Sequence, residues 1–153
     1  MTVEVHEADR VTDELLEASR RLLPQLSSSA GQPSADDLAR VAGHPANTLL
    51  VARHQGAVVG LLTLVTFPLL TGLRARIEDV VVDEGARRQG VATALTMAAI
   101  RLAQQRGACT IDLTSRASRV AANRLYEQLG FQPRDSNLYR YQPAGGVRGW
   151  AGT

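Results

Sequence analysis

Lysine is missing: all seventeen basic residues of this 153-residue chain are arginine. Any phosphate held here by side chains would meet planar guanidinium forks rather than ammonium point charges. Cysteine occurs once, at Cys109, which excludes an internal disulfide and a thiolate-rich metal site. In the apolar run ACTIDL, Cys109 reads as a small buried core residue. Aromatics number six and the net charge is only +2. With the arginines scattered along the chain, that excludes a nucleic-acid surface made of a basic patch and stacking platforms. No apolar run approaches the ~20 residues of a membrane span. The opening MTVEVHEADR is too polar for a secretory leader. His6, His44 and His54 fall in no metal-ligand spacing. The expectation is a cytoplasmic protein that uses no metal and partners neither nucleic acid nor membrane.

What is present is an ordinary globular composition, 44% apolar and 21% charged, at a length that supports one domain with one substantial core. Val3 to Glu7 alternates as a strand. Thr12 or Asp13 caps a helix carrying Leu15, Leu16, Leu22, Leu23 and Leu26, with Pro24 disturbing its end. After the polar loop 27–34, Ser34 caps a short helix ending near Gly43. NTLLVAR and AVVGLLTLVTF flank His54-Gln55-Gly56 as a hairpin. Phe67 to Leu73, with its Pro and Gly, reads as a connector. RIEDVVVD is a strand, a helix begins at about Gly90, and CTIDLTS is a strand. Ser118 caps a helix that Gly130 ends. FQPRD and NLYRYQ form a final strand pair, and the tail is loose. The order β-α-α-β-β-β-α-β-α-β-β is mixed α/β, with residues 1–142 as the domain and 143–153 as a Gly-rich C-terminal tail.

One segment carries chemistry. Arg87-Arg88-Gln89-Gly90-Val91-Ala92 joins a strand to a helix. The first turn of a helix has unpaired N–H groups at the positive end of its dipole. A glycine there lets a ligand approach the backbone, and a small Ala92 keeps the approach open. The combination suits a phosphate or pyrophosphate. Both GxxxxGK[ST] and GxGxxG are absent, which excludes a P-loop and a Rossmann fingerprint.

Arg87-x-x-Gly90-x-Ala92 matches the [QR]-x-x-G-x-[GA] motif of the GNAT acyltransferases. The strand RIEDVVVD resembles the strand that precedes that motif, and Asn123-Arg-Leu-Tyr126-Glu-Gln-Leu-Gly130-Phe131 resembles the family's second signature. The resemblance covers residues 1 to about 142. It implies a single GNAT-type domain with a mostly antiparallel central sheet, splayed at the coenzyme-binding strand, and helices on both faces. It implies an acetyl-CoA-dependent N-acetyltransferase acting on a primary amine of a small molecule or peptide by direct attack in a ternary complex. A non-catalytic acyl-CoA-binding regulatory module is the alternative.

Residue by residue, the resemblance implies that the bulged strand presents the backbone of Val80, Val81 and Val82 to the pantetheine arm. The N–H groups of Arg87, Arg88, Gln89, Gly90, Val91, Ala92 and Thr93 would take the pyrophosphate. Asn123 would face the pantetheine, and Arg119 is a candidate for a CoA phosphate.

Glu78 and Asp79 are two adjacent carboxylates in an apolar strand, and alternation places them on opposite faces. Either acid can be ion-paired with Arg74 or Arg76; alternatively Glu78 is a general base that deprotonates the acceptor ammonium, whose pKa is near ~10, directly or through water. Tyr126 is either a core aromatic or the proton donor to the departing thiolate. For the acceptor, the resemblance implies entry at Leu23-Pro24-Gln25-Leu26-Ser27 and the loop through Ser34, and Asp79, Ser115, Arg116, Asn137 and Tyr139 are further candidates beside Gln25. A homodimer is left open.

Overall fold

The computed structural model describes residues 2–29, 31–146 and 149–150. Its order is β1 (Glu4–Glu7), α1 (Asp13–Leu26), α2 (Ala35–Gly43), β2 (Asn47–His54), β3 (Ala57–Leu69), β4 (Gly72–Val82), a 3₁₀ turn (Glu84–Ala86), α3 (Val91–Gln105), β5 (Thr110–Asp112) and α4 (Val120–Gln128). The five strands form one sheet in chain order, antiparallel from β1 to β4 and parallel between β4 and β5. This is the mixed α/β, mostly antiparallel sheet that the sequence leads one to expect.

Local chemistry starts the helices. The Thr12 hydroxyl accepts from the Leu15 N–H at 3.1 Å. Ser34 and Asp37 form a reciprocal capping box, at 3.1 and 2.9 Å, which satisfies two otherwise orphaned donors. α4 differs from expectation: its N-cap is Arg119 without a side-chain cap, and Ser118 plays no part.

The sheet separates two cores. Leu15, Ala18 and Leu22 of α1 and Leu38 of α2 pack with Leu49, Val51, Val58, Leu61 and Val81 on one face. Val91, Leu95, Ala99 and Ala103 of α3 pack with Leu50, Ala52, Leu62, Leu64, Ala75 and Ile77 on the other. Leu22, Leu62, Leu64 and Leu95 are fully buried, each contributing about 1.5–3 kcal/mol by transfer from water. Gly60 allows this approach. A Cβ there would lie 2.9 Å from Val91 Cγ1 and 3.0 Å from Leu95 Cδ1, so the N-terminal end of α3 sits directly on β3.

Three expectations need correction. Phe67 to Leu73 is not a connector, because β3 runs to Leu69 and pairs with β4 from Gly72 across a tight turn. Pro68 is tolerated because it lies at the end of the ladder. FQPRD and NLYRYQ form no strands, since their alternation finds no neighbouring strand to pair with among the described residues. Cys109 precedes β5 and is exposed, because β5 is an edge strand of three residues rather than a buried one.

The Gly-rich tail also departs from the expected looseness where it is described. Trp150 lies over the Arg40 guanidinium, 5.7 Å from its ring centre. No helix among the described residues is long and apolar enough to cross a membrane.

Candidate active site

The site begins with a break in β4. Leu61 pairs with Val81 but Thr63 pairs with Glu78, so Asp79 and Val80 together oppose Leu62. This is a β-bulge with one extra residue on β4. Asp79 sits at φ +51°, a left-handed conformation that a non-glycine residue adopts at a cost. The bulge resets alternation. Ala75 and Ile77 face the α3 core before it, and Val80 and Val82 face the same core after it.

β4 also parts from β5. The two strands pair only from Arg74 to Arg76 against Thr110 to Asp112. Beyond Arg76 the β5-facing edge of β4 is unpaired and a cleft of about 180 Å³ opens. Ile77, Glu78, Asp79 and Val80 form one wall and Leu113, Thr114, Arg119 and Tyr126 the other, with Leu26 and Ser27 from the end of α1 also lining it.

Glu78 and Asp79 therefore line the same cleft, contrary to the opposite-face expectation from strand alternation. The extra residue of the bulge turns Asp79 sideways out of the pleat. Glu78 accepts from Arg76 Nε at 3.0 Å, one of the two ion pairs anticipated. Asp79 makes no ion pair among the described residues. Although its side chain reaches solvent, crowding by the cleft walls pushes its carboxyl above the ordinary range, and the Glu78 carboxylate adds to the rise.

Tyr126 is 7% exposed and packs edge-on against Phe131, with ring centres 5.9 Å apart. It is a core aromatic, and it also lines the cleft. Burial pushes its phenol above the ordinary range, while Arg119 pulls it back in part. The hydroxyl therefore stays protonated across the physiological range.

Below the cleft lies the turn into α3. Arg88 at φ +63° and Gly90 at φ +82° bend the chain there. A Cβ at Gly90 would meet nothing within 4 Å, so the backbone is approachable from outside. Gly90 supplies no side-chain cap, and the first intrahelical bond runs from the Ala94 N–H to the Gly90 carbonyl at 3.0 Å. The N–H groups of Val91, Ala92 and Thr93 precede it and are left for an anion. The Val91 side chain is buried, so only its backbone is available, as holds for Val81. Arg87, Arg88 and Gln89 are exposed beside the turn.

Other candidates stand apart from this centre. Gln25 is occupied: its Oε1 accepts from the Glu84 N–H at 2.8 Å and its amide reaches Asp83 at 3.4 Å. Arg21 bonds the same Asp83 and also donates to the Val58 carbonyl at 2.9 Å. Asn123 Nδ2 donates to the Arg116 carbonyl at 3.0 Å, bracing the loop that enters α4, and the Arg116 side chain is exposed. Ser115 follows the cleft wall, with a buried hydroxyl that has no partner among the described residues. Leu26 and Ser27, in the segment expected at the acceptor, do line the cleft, whereas sequence reasoning missed Leu113 and Thr114, since ordinary residues at the ends of elements carry no signal. It placed Arg119 toward a CoA phosphate rather than beside Tyr126.

Comparison with known proteins agrees with this geometry. The family model for the acetyltransferase (GNAT) family matches residues 11–131. N-alpha-acetyltransferase 30 of Schizosaccharomyces pombe is 41% identical over 71 residues, which is 46% of this chain and 47% of that protein. This chain thus matches about half the length of that curated relative. A transcriptional regulator from Bacillus halodurans C-125 superposes with a TM-score of 0.80 at 29% identity, covering 92% of this chain and 100% of that one. An acetyltransferase from Trypanosoma brucei does so with a TM-score of 0.75 at 26% identity, again over 92% and 100%. With the fold, the bulged strand and the glycine turn in agreement, the chain belongs to the acetyltransferase (GNAT) family.

Proposed function

We propose that this protein transfers an acetyl group from acetyl-CoA to a primary amine of a small molecule or peptide. The observation that carries the reading is the bulge at Asp79–Val80. It opens the β4 edge and turns two carboxylates into a cleft whose opposite wall holds a protonated tyrosine. The family uses acetyl-CoA as co-substrate, and the residues present fit it. The uncapped first turn of α3, with open space over Gly90, suits the pyrophosphate. The unpaired edge at Val80 to Val82 suits the amides of the pantetheine arm.

When bound, acetyl-CoA supplies the activated thioester. The chain's own groups do the rest. Backbone N–H groups from Arg88 to Thr93 hold the phosphates, the Arg87 N–H being engaged by the Glu84 carbonyl at 3.4 Å. A β4 edge N–H polarises the carbonyl under attack. The Glu78–Asp79 pair removes the proton of the acceptor ammonium. Asp79 is the first acceptor, because the Glu78 oxygen is already engaged by Arg76. The Tyr126 hydroxyl gives its proton to the departing sulfur, and Arg119 eases the charge left on the phenol oxygen. Attack is direct, within a ternary complex. Residues 1–142 are taken as the acetyltransferase unit, and a cytoplasmic location is part of the same proposal.

The test is a panel of primary amines and N-terminal peptides assayed for free CoA thiol. Acetyl-CoA-dependent thiol release with at least one acceptor supports the reading. Binding of acetyl-CoA with no release across the panel points to a non-catalytic module.

A further inference from the structure

Past the cleft, the α1-side face of the sheet continues as a surface that no step of acetyl transfer uses. Ala75 and Ile77 face the α3 core, so Arg74, Arg76 and Glu78 stand on the other face of β4. Leu62 and Leu64 of β3 also face α3, while Leu61 faces α1. Thr63, Val65 and Phe67 therefore share the face of the arginines. The ladder sets Thr63 across from Glu78, Val65 from Arg76 and Phe67 from Arg74. None of these six belongs to the core under α1 and α2, and all are half-buried. β5 places the exposed Asp112 beside Arg76 on the far side. The result is a trough, largely apolar along β3 and charged along β4, that runs from the cleft toward the β3–β4 turn.

Its charges are graded. Glu78 and Asp79 stand at the cleft end. Arg76 follows, engaged by Glu78 at 3.0 Å. Arg74 stands last, and no carboxylate pairs with it among the described residues. Its Nη2 donates to the Thr71 hydroxyl at 3.0 Å, and its Nε is buried without a hydrogen-bond partner among the described residues. An arginine that serves only to hold a sheet together has its buried donors satisfied by protein acceptors. Arg74 does not, and its planar fork suits a carboxylate.

Spacing decides what can bridge the two ends. Glu78 and Arg74 lie in one strand, roughly 13 Å apart at ~3.3 Å per residue. A free amino acid carries its amine and carboxylate on one carbon and is too short. An extended peptide is long enough. Its third side chain lies on the same side as its first, and an acidic group there reaches the arginine end while the amine sits at the carboxylate end.

We propose that this trough docks the acceptor, that the acceptor is a peptide, and that Arg74 selects an acidic side chain at its third residue. The N-terminal amine lies at Asp79, and the third carboxylate meets the Arg74 guanidinium. Transfer itself is unchanged: the amine nitrogen bonds the acetyl carbon, the C–S bond breaks, the ammonium proton goes to Asp79 and the sulfur leaves as the CoA thiol with the Tyr126 proton. Chemistry at the amine rests on the acetyl-transfer reading, whereas docking of the peptide does not.

Three labelled, C-terminally amidated peptides test it: Ala-Ala-Glu-Ala-Ala and the same peptide with Gln or Lys in third place. Fluorescence anisotropy reads their binding to the CoA-loaded protein, and thiol release from acetyl-CoA reads their transfer. The Glu peptide should bind ~10-fold more tightly than the Gln peptide, and the Lys peptide most weakly. KM should follow in the same order with kcat little changed. Arg74→Gln should remove the preference. Arg74→Glu should reverse it in favour of Lys, which a merely structural role would not do. Equal binding of the three peptides by the wild type overturns the proposal whether or not the variants fold. A Glu preference that survives in folded Arg74→Glu also overturns it. Preferential binding of the Glu peptide with no thiol release from any acceptor supports the trough and fails the acetyl-transfer reading. Thiol release at equal KM from all three peptides does the reverse.

Discussion

Glu78 and Asp79 are neighbours in β4, yet both carboxylates line one cleft, because Asp79 adopts φ +51° and its side chain leaves the pleat. Crowding by the cleft walls, with the neighbouring Glu78 carboxylate adding to it, makes Asp79 hold its proton to higher pH than an ordinary aspartate.

The pH dependence follows with a definite sign. A base must be deprotonated to act, so kcat/KM falls as pH drops through the raised value of Asp79, earlier than for an ordinary aspartate. Glu78→Gln removes the neighbouring charge that helps raise it, and this acid limb should move to lower pH. Asp79→Asn should lower the plateau and abolish the limb. A pH profile of both variants decides the matter. A Glu78→Gln limb at higher pH, or an intact limb in Asp79→Asn, assigns the base to Glu78 or to water. For stability the sign is reversed: a carboxyl raised in the folded state favours folding as pH falls through that value, so Asp79→Asn should gain relative stability at neutral pH.

Gln25 holds structure rather than acceptor. Its Oε1 receives the Glu84 N–H and its amide meets Asp83, tying α1 to the turn that leads into Gly90. Gln25→Ala should cost about 1 kcal/mol by loss of these bonds, read by chemical denaturation. The KM for the acceptor should be unchanged and that for acetyl-CoA slightly raised. A rise confined to the acceptor KM would return Gln25 to the acceptor site.

Much of this arrangement is legible in the sequence where it is local. The Ser34–Asp37 capping box, the turn at Gln55-Gly56 and the anion turn at Gly90 each depend on residues a few positions apart. The strand RIEDVVVD and the signature around Tyr126 supply residues of the two walls that face one another. What depends on distant partners was not legible. Strand alternation put Glu78 and Asp79 on opposite faces, because a bulge is a property of the β3–β4 pairing and not of β4 alone. NLYRYQ has the pattern of a strand, but pattern does not supply a neighbour to pair with. Pro68 and Gly72 read as breakers, although a hairpin accepts both close to its turn.

Coenzyme binding should be visible as stabilisation. Acetyl-CoA at ~100 times its dissociation constant adds about 2.7 kcal/mol to the folded state, which a melting curve detects. Gly90→Ala should lose on the order of 1 kcal/mol, since a side chain at φ +82° is strained even though space for its Cβ is open. Gly90→Glu carries the same strain and also sets an anion against the phosphates. Its melting temperature should therefore ignore saturating acetyl-CoA, while the alanine variant still responds. An equal response of both would move the phosphates away from this turn.

Tyr126 gives the most discriminating test of the chemistry. Its ring is committed to packing, edge-on to Phe131 and 7% exposed, while its residue lines the cleft opposite Asp79. Tyr126→Phe keeps the ring and deletes only the hydroxyl, so the melting temperature should barely change. The departing thiol has a pKa near ~8.5, and a positioned acid contributes about 10²–10⁴-fold to its departure. Turnover should fall by that factor, with the KM for acetyl-CoA little changed. Arg119→Gln should give a smaller loss, should move any alkaline fall to higher pH because the charge that lowers the phenol is gone, and should leave acceptor affinity unchanged, because Arg119 acts on the phenol and not on the amine. Normal turnover in Tyr126→Phe, with a confirmed acceptor, would leave Tyr126 as a packing residue and require water to protonate the sulfur.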